Sequence, residues 1–232
     1  MLPPTRFLYI YSAHLWQVAT GAGVRESLVR VSAVFSILAL IAAAGFAHRL
    51  GGAGMSLIVA ALMSVTMNQI HQAQHAMIDG FFTFLCLLAL WSLWENLQRP
   101  GRWLWLSAYG ASLSAMVMTK ENSFFVVAAI CGLLAANRWL RFGSVSKPLL
   151  LVTVAGPLAG FVFLVFLAGG LDVFVAIYRL LILKSKAVPW AILNGDGPWY
   201  RYVIDLVIVS PLVVLLAAGR AFHGRSFRFA KR

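Results

Sequence analysis

One polar stretch stands out in this sequence because it joins two strongly apolar segments. Residues 68–79 bring together two imidazoles, four carboxamides and one carboxylate. Carboxylates and imidazoles can take up protons, and all three kinds of group form hydrogen bonds with hydroxyls. Ionisable groups at the mouth of a membrane helix bundle are costly, so they indicate a functional surface. The polar side chains of the stretch are those of Asn68, Gln69, His71, Gln72, Gln74, His75 and Asp79.

Spacing makes Asp79 the first candidate within this stretch. Asp79 follows His75 by four residues, and His71 lies a further four residues back. The three side chains would therefore share one face of a helix that begins early enough to include them. The alternative is an acid that the macrodipole favours at a helix N-terminus without any substrate.

Two further clusters could bind an anion. Lys120 ends an apolar helix beside Glu121. Its alternative role is that of a lysine that extends to the interface and pairs with its neighbour or with lipid headgroups. Arg201 follows Tyr200 in an aromatic segment, and its planar guanidinium suits phosphate better than an ammonium does. The alternative for Arg201 is an interfacial anchor.

Composition restricts the class of protein. Hydrophobic residues make up 61% of the chain, charged residues 11%, and the mean hydropathy is +0.85, which is too apolar for a soluble domain. The formal net charge is +12, but the basic residues form no stripe with interleaved aromatic residues, so we expect no nucleic-acid partner. Cys86 and Cys131 lie in apolar segments and are interpreted as small buried hydrophobic residues.

The elements that position these residues are predicted to be membrane helices. Seven apolar segments approach the roughly 20 residues that a helix needs to cross a bilayer, and none alternates as a barrel strand would. The predicted fold class is an all-α, polytopic integral membrane protein with about seven transmembrane helices, in one domain over 1–232. The predicted spans are 28–47, 53–69, 77–95, 103–119, 122–140, 149–169 and 202–219. Six of them fall within 28–169.

The basic residues predict an orientation in the cell membrane. Eleven of the 19 Lys and Arg residues fall in one set of short connections and in the tail 220–232, which the positive-inside rule places in the cytoplasm. The outer side then holds 1–27, the polar stretch and the loop 170–201, and the first and last of these carry amphipathic interfacial helices. The inner set is Arg49, Arg99, Arg102, Arg138, Arg141, Lys147, Arg220, Arg225, Arg228, Lys231 and Arg232.

Four features occur in an order that resembles one enzyme family. They are Pro3-Pro4 followed by an aromatic helix and Glu26–Ser32, then His71–Asp79 opening an apolar helix, then Met118–Asn122, and finally Gly197–Tyr202. Together they are similar to the GT-C-fold glycosyltransferases of family 39, the protein O-mannosyltransferase and aminoarabinose-transferase type. That family also begins with a span leading to a catalytic Asp-Glu pair. This sequence has neither, and it also lacks the later helices and the C-terminal soluble domain of the family, so the resemblance implies a chain shortened at both ends.

The resemblance implies a substrate class and a mechanism. Such enzymes move a sugar from a polyprenyl-phosphate carrier of the undecaprenyl or dolichyl type to a glycan, lipid or protein acceptor, on the outer membrane face and among membrane lipids. The departing phosphate needs cations, and the acceptor needs a carboxylate. Asp79 and His75 are the predicted catalytic residues. The predicted substrate-binding residues are His71, Gln72, Gln74, Lys120, Glu121, Tyr200 and Arg201.

Two alternatives remain open at this point. No metal site or cofactor is predicted, but a divalent cation held by the two histidines and Asp79 could bridge to a phosphate. The chain could also be a non-enzymatic membrane protein, such as a lipid-carrier transporter or an assembly partner, or an inactive remnant. The halves of the sequence show no internal repeat, which argues against a transporter with inverted repeats.

Overall fold

The computed structural model describes residues 6–187 together with residues 200 and 204. This part of the chain contains helices and no strand, which confirms the all-α fold class. The helices are α1 (Phe7–Thr20), α2 (Val24–Val65), α3 (Met67–Gln74), α4 (Ile78–Gln98), α5 (Trp103–Thr119), α6 (Ser123–Leu140), α7 (Lys147–Ala168) and α8 (Leu171–Ala187).

Several of these helices suit a bilayer. Among the described residues, α2, α4, α6 and α7 are long and apolar enough to cross a membrane, so the chain is a polytopic membrane protein. The count of seven spans stays a prediction. Apart from residue 204, which is helical, the predicted span 202–219 and the tail 220–232 lie outside the described residues.

The chain divides into two compact units. The first, Met1–Leu181, holds α1 to α7 and most of α8. The second, Ile182–Arg232, holds the end of α8 and the helical residues 200 and 204. All packing described below lies within the first unit.

Helix α2 reverses direction at Gly52. This residue has φ 77° and ψ −168°, a conformation that is essentially restricted to glycine. The Gln69 side chain donates a hydrogen bond of 2.8 Å to the backbone carbonyl of Ser36, 33 residues earlier. In one straight helix those residues would lie about 50 Å apart, so the two arms of α2 must run side by side. The arms match the predicted segments 28–47 and 53–69, except that the second arm ends at Val65.

Small residues allow α5 and α7 to pack closely. Gly156 and Gly160 lie one turn apart on α7, and a Cβ added to Gly160 would lie 2.5 Å from the backbone oxygen of Ser114 on α5. The Ser114 hydroxyl donates a hydrogen bond of 2.6 Å to the carbonyl of Gly156. This spacing of small residues is typical of helices in contact within a membrane.

The bundle has two chemically different ends. One end carries the start of α4 and the end of α5. We call it the pair end, after the ion pair that Asp79 and Lys120 form there. The opposite end carries the connections 99–102 and 141–146, and we call it the basic end. There the Arg49 guanidinium lies 2.7 Å from the buried carboxylate of Glu95. The backbone N–H of Ser144 donates to the carbonyl of Leu97 at 2.8 Å, which attaches the second connection to α4.

Candidate active site at the pair end

Two helix termini bring opposite charges together. Asp79 lies in the first turn of α4, and Lys120 is the residue at which α5 ends and the backbone becomes extended. Because α4 and α5 are joined by a short connection and pack side by side, the start of one meets the end of the other. The macrodipoles favour a carboxylate at the first position and a cation at the second.

The two side chains form an ion pair. Lys120 Nζ lies 2.5 Å from Asp79 Oδ1, although the residues are 41 positions apart in the chain. The side chain of Lys120 is 19% exposed and that of Asp79 is 36% exposed. The pair is therefore partly desolvated yet still accessible to a ligand.

A buried tyrosine positions the start of α4. The Tyr9 hydroxyl of α1 lies 2.8 Å from the hydroxyl of Ser32 on α2, which in turn donates to the carbonyl of Met77 at 2.9 Å. Burial raises the pKa of Tyr9 above its ordinary value, while the hydrogen bond with Ser32 lowers it. The chain of hydrogen bonds fixes the residue that precedes α4, and hence the position of Asp79. Neither Tyr9 nor Ser32 was among the predicted site residues.

Close packing beside Asp79 fixes the same turn. A Cβ added to Gly80 would overlap with the hydroxyl of Ser36 on α2 and would lie 3.4 Å from the carbonyl of Ser32. Glycine at this position allows α4 to approach α2. In the sequence, the one signal for this close packing is that Gly80 directly follows a candidate acid.

The two histidines form a separate, exposed cluster. The rings of His71 and His75 lie with their centroids 4.2 Å apart and their planes tilted by 33°, and His75 Nδ1 lies 3.0 Å from the carbonyl of His71. Helix α3 ends at Gln74, and the backbone is extended at His75 and Met77. The two histidines therefore do not share one helical face with Asp79. Within residues 6–187, neither histidine forms a hydrogen bond or ion pair with that acid.

The remaining predicted residues are distributed as follows. Gln74 is exposed at the end of α3, and Gln72 lies within the same helix. Tyr200 is helical and exposed in the second unit, and Arg201 lies outside the described residues. In the described part of the chain, no group of three or more His, Cys, Asp or Glu side chains could hold a metal ion. The divalent-cation alternative stays untested.

Glu121 lies at an apolar groove next to Lys120. Its Oε2 atom is buried and has no hydrogen-bond partner among the described residues. The groove has a volume of about 540 Å³ and lies between the pair-end parts of α5, α6, α7 and α8. Besides Glu121, its lining includes Val127, Leu158, Phe161, Leu164 and Phe174. The site thus combines a polar pair with a long apolar surface.

Comparison with known proteins identifies a family for this chain. The family model described as dolichyl-phosphate-mannose-protein mannosyltransferase matches residues 11–196, well over half of the chain. A search of curated proteins and a search of solved structures give no match. The family match confirms the predicted resemblance and the enzyme class, a glycosyltransferase that uses a lipid-linked sugar. The chain belongs to the dolichyl-phosphate-mannose-protein mannosyltransferase family.

Proposed function

We propose that this protein transfers a sugar from a polyprenyl-phosphate carrier to an acceptor on the outer face of the membrane, and that the Asp79–Lys120 pair is the centre of the site. The observation that carries the proposal is the pair itself. Two opposite charges from separate helices meet at one end of an apolar bundle and remain partly exposed. In a chain with 11% charged residues, such a pair supports a functional assignment.

Lys120 is proposed to bind the carrier phosphate. Its ammonium has three N–H donors, and Asp79 uses one of them. During transfer the bond between the sugar C1 and the phosphate oxygen breaks, and its electron pair stays on that oxygen. A cation held at this position stabilises the additional negative charge.

Asp79 is proposed to activate the acceptor. A new bond forms between the acceptor oxygen and the sugar C1, and the proton of the acceptor hydroxyl passes to the Asp79 carboxylate. His75 is proposed to assist this proton transfer. His71, Gln72, Gln74, Glu121, Tyr200 and Arg201 are proposed to bind the sugar, the acceptor or the phosphate.

The apolar groove supports a lipid-linked donor. A polyprenyl chain is an extended hydrocarbon, and the groove offers it apolar side chains that begin beside Lys120. The distribution of Lys and Arg supports an outward-facing site, because the cations of the basic end belong to the set predicted to be cytoplasmic. The family supports a dolichyl-phosphate-linked mannose as the donor and a protein as the acceptor.

The test is sugar transfer by the full-length protein in membrane vesicles, with dolichyl-phosphate-[³H]mannose as donor and a Ser/Thr-rich peptide as acceptor. Lys120→Ala and Asp79→Asn should each lower transfer by about 100-fold or more, as expected for removing a charge-stabilising or proton-accepting group. Arg30→Gln is the matched control, since its ion pair with Glu26 is well exposed. Its transfer rate should stay unchanged.

Two outcomes would contradict the proposal. Unchanged transfer in Lys120→Ala or Asp79→Asn would remove that residue from the site. If the unmodified protein transfers no sugar but binds polyprenyl phosphate, a carrier-binding or assembly role becomes the better assignment. EDTA treatment tests the cation alternative: transfer that is lost and then restored by Mn²⁺ would support it.

A further inference from the structure

A second apolar groove lies at the basic end, far along α6 and α7 from the first. It has a volume of about 640 Å³ and lies between the last turns of α6 and the first turns of α7. Its walls are mainly apolar, and one cation, Arg138, contributes to the lining. The apolar and thiol side chains that line it are Cys131, Leu134, Ala135, Val145, Leu150 and Val154.

Arg138 lacks an anionic partner in the part of the chain that the structure describes. The ion pairs found there are Arg30–Glu26, Arg49–Glu95 and Lys120–Asp79, and none of them involves Arg138. A guanidinium stays charged at any physiological pH. An unpaired arginine beside an apolar groove therefore attracts an anion that also carries apolar surface.

The rim of the groove is held in place by backbone contacts. The Asn137 side chain is buried, donates to the carbonyl of Gly143 at 2.8 Å and accepts from the N–H of Gly143 at 3.2 Å. A Cβ on Gly143 would overlap with the carbonyl of Leu97, so this turn packs directly on α4. Arg141 ends α6 in the left-handed conformation, and Lys147 begins α7. The connection thus keeps two further cations at the same end of the bundle as the groove.

From these observations we propose that the groove binds an anionic glycerophospholipid. One acyl chain lies against the walls formed by Leu134, Leu150 and Val154, and the lipid phosphate lies at Arg138. Arg141 and Lys147 add to the positive potential at the rim. A planar guanidinium binds a phosphate through two parallel hydrogen bonds, which an ordinary solvated surface lysine does not. This site is distinct from the Asp79–Lys120 pair and does not depend on the proposed function.

Cys131 provides a direct readout, since it is a free thiol in the groove lining. Because it lies within the membrane span α6, the reagent is a membrane-permeant maleimide. The full-length protein is placed in nanodiscs of phosphatidylcholine alone or of phosphatidylcholine with phosphatidylglycerol. The rate of maleimide modification at Cys131 is measured by peptide mass spectrometry, which distinguishes Cys131 from Cys86. Bound phosphatidylglycerol should slow the modification of Cys131 by about fivefold or more, an effect of roughly 1 kcal/mol.

Two variants separate a site from general surface attraction. Arg138→Gln should remove the protection of Cys131. Arg102→Gln removes the same charge from the same end, but Arg102 does not line the groove, and the protection should persist. Arg138→Lys should keep part of it, because the charge remains while the planar fork is lost.

Several results would overturn the proposal. Equal rates in both lipids would show that no anionic lipid occupies the groove. Equal loss of protection in Arg138→Gln and Arg102→Gln would show that general surface charge causes the protection, and not a binding site. If Cys131 is unreactive in both lipids, native mass spectrometry decides: retention of phosphatidylglycerol by the unmodified protein that is no greater than retention by Arg138→Gln would overturn the proposal. Protection by polyprenyl phosphate but not by phosphatidylglycerol would make it a second carrier site.

Discussion

Lys120 Nζ and Asp79 Oδ1 lie 2.5 Å apart and connect the end of α5 to the first turn of α4. Each charge is already favoured at its helix terminus by the macrodipole, so the helices position both groups before any substrate binds. A bound anion could compete with Asp79 for Lys120, because the ammonium has N–H donors beyond the one that Asp79 accepts.

We expect the pair to contribute little to folding. Asp79→Asn, Lys120→Met and the double variant form a double-mutant cycle for the free energy of unfolding in mixed micelles. The coupling free energy should be about 0.2–1 kcal/mol, because the pair is partly exposed to water. Sugar transfer should be lost in all three variants. A coupling of several kcal/mol would instead make the pair a structural element.

Gly80 and Ser36 are predicted to be coupled through one steric contact. Gly80→Ala should lower the free energy of unfolding by about 1–3 kcal/mol, since its Cβ would overlap with the hydroxyl of Ser36. Ser36→Ala alone should be neutral or stabilising, because that hydroxyl is buried without a hydrogen-bond partner in the described region. The double variant should recover most of the loss. If it does not, the backbone carbonyl of Ser32 limits the packing.

Residue types in the sequence were sufficient to select Asp79 and Lys120 as separate candidates, but not to pair them. Their contact depends on how α4 and α5 are aligned, and no local pattern reports an alignment across 41 positions. The all-α class was predictable because long apolar segments leave a membrane chain few other solutions. The helix reversal at Gly52 agrees with the break between two predicted spans.

The helical face that His71, His75 and Asp79 could have shared does not form, for a local reason. The roles of the two histidines stay predictions. Periodicity suggested one helix through His71, His75 and Asp79, but the backbone is extended at His75 and Met77, and the N–H of Met77 donates to the carbonyl of His75 at 2.7 Å. No glycine or proline in the sequence marks this tight turn. Tyr9 was missed because an aromatic residue in an amphipathic helix is normally interpreted as an interfacial contact.

The reversal in α2 can be tested with two glycines of the same segment. Gly52→Ala should lower the free energy of unfolding by about 1–3 kcal/mol, because alanine is strained at its positive φ whatever space is present. Gly54→Ala is the matched control: a Cβ there meets no atom within 4 Å, and its backbone is helical. It should not destabilise the protein. Equal effects of both substitutions would show that the turn tolerates alanine.

The ion pair at the basic end should behave differently from the one at the pair end. The Glu95 side chain is 5% exposed, and it accepts hydrogen bonds from Arg49 at 2.7 Å and from Trp91 at 3.3 Å. Arg49→Met would leave a buried carboxylate with much less compensation and should cost about 3–5 kcal/mol of unfolding free energy.

The double variant Arg49→Met with Glu95→Leu should cost less than Arg49→Met alone, since it removes the unpaired charge. Arg30→Met serves as the control, because its partner Glu26 is exposed and that pair should contribute under about 1 kcal/mol. A double variant less stable than Arg49→Met would show that packing around Glu95, rather than its charge, dominates.

If the groove beside Glu121 holds the polyprenyl chain of the donor, substitutions in the groove should change the KM by an amount that depends on the length of that chain. Leu158→Trp would fill part of the groove lining and should raise the KM for a long polyprenyl donor by about tenfold, a loss of roughly 1.4 kcal/mol. The KM for a donor with two isoprene units should change much less, since a short chain occupies less of the groove. The kcat should be unchanged for both donors, because the Asp79–Lys120 pair is untouched.

Leu151→Trp is the control for this experiment. Leu151 is an exposed leucine on the same helix, seven residues earlier, and it does not line the groove. Its KM values should match those of the unmodified protein. A tenfold increase for both donors in Leu158→Trp would indicate damage to the site itself. No increase for either donor would place the polyprenyl chain on another surface, while sugar transfer by the Asp79–Lys120 site would still stand.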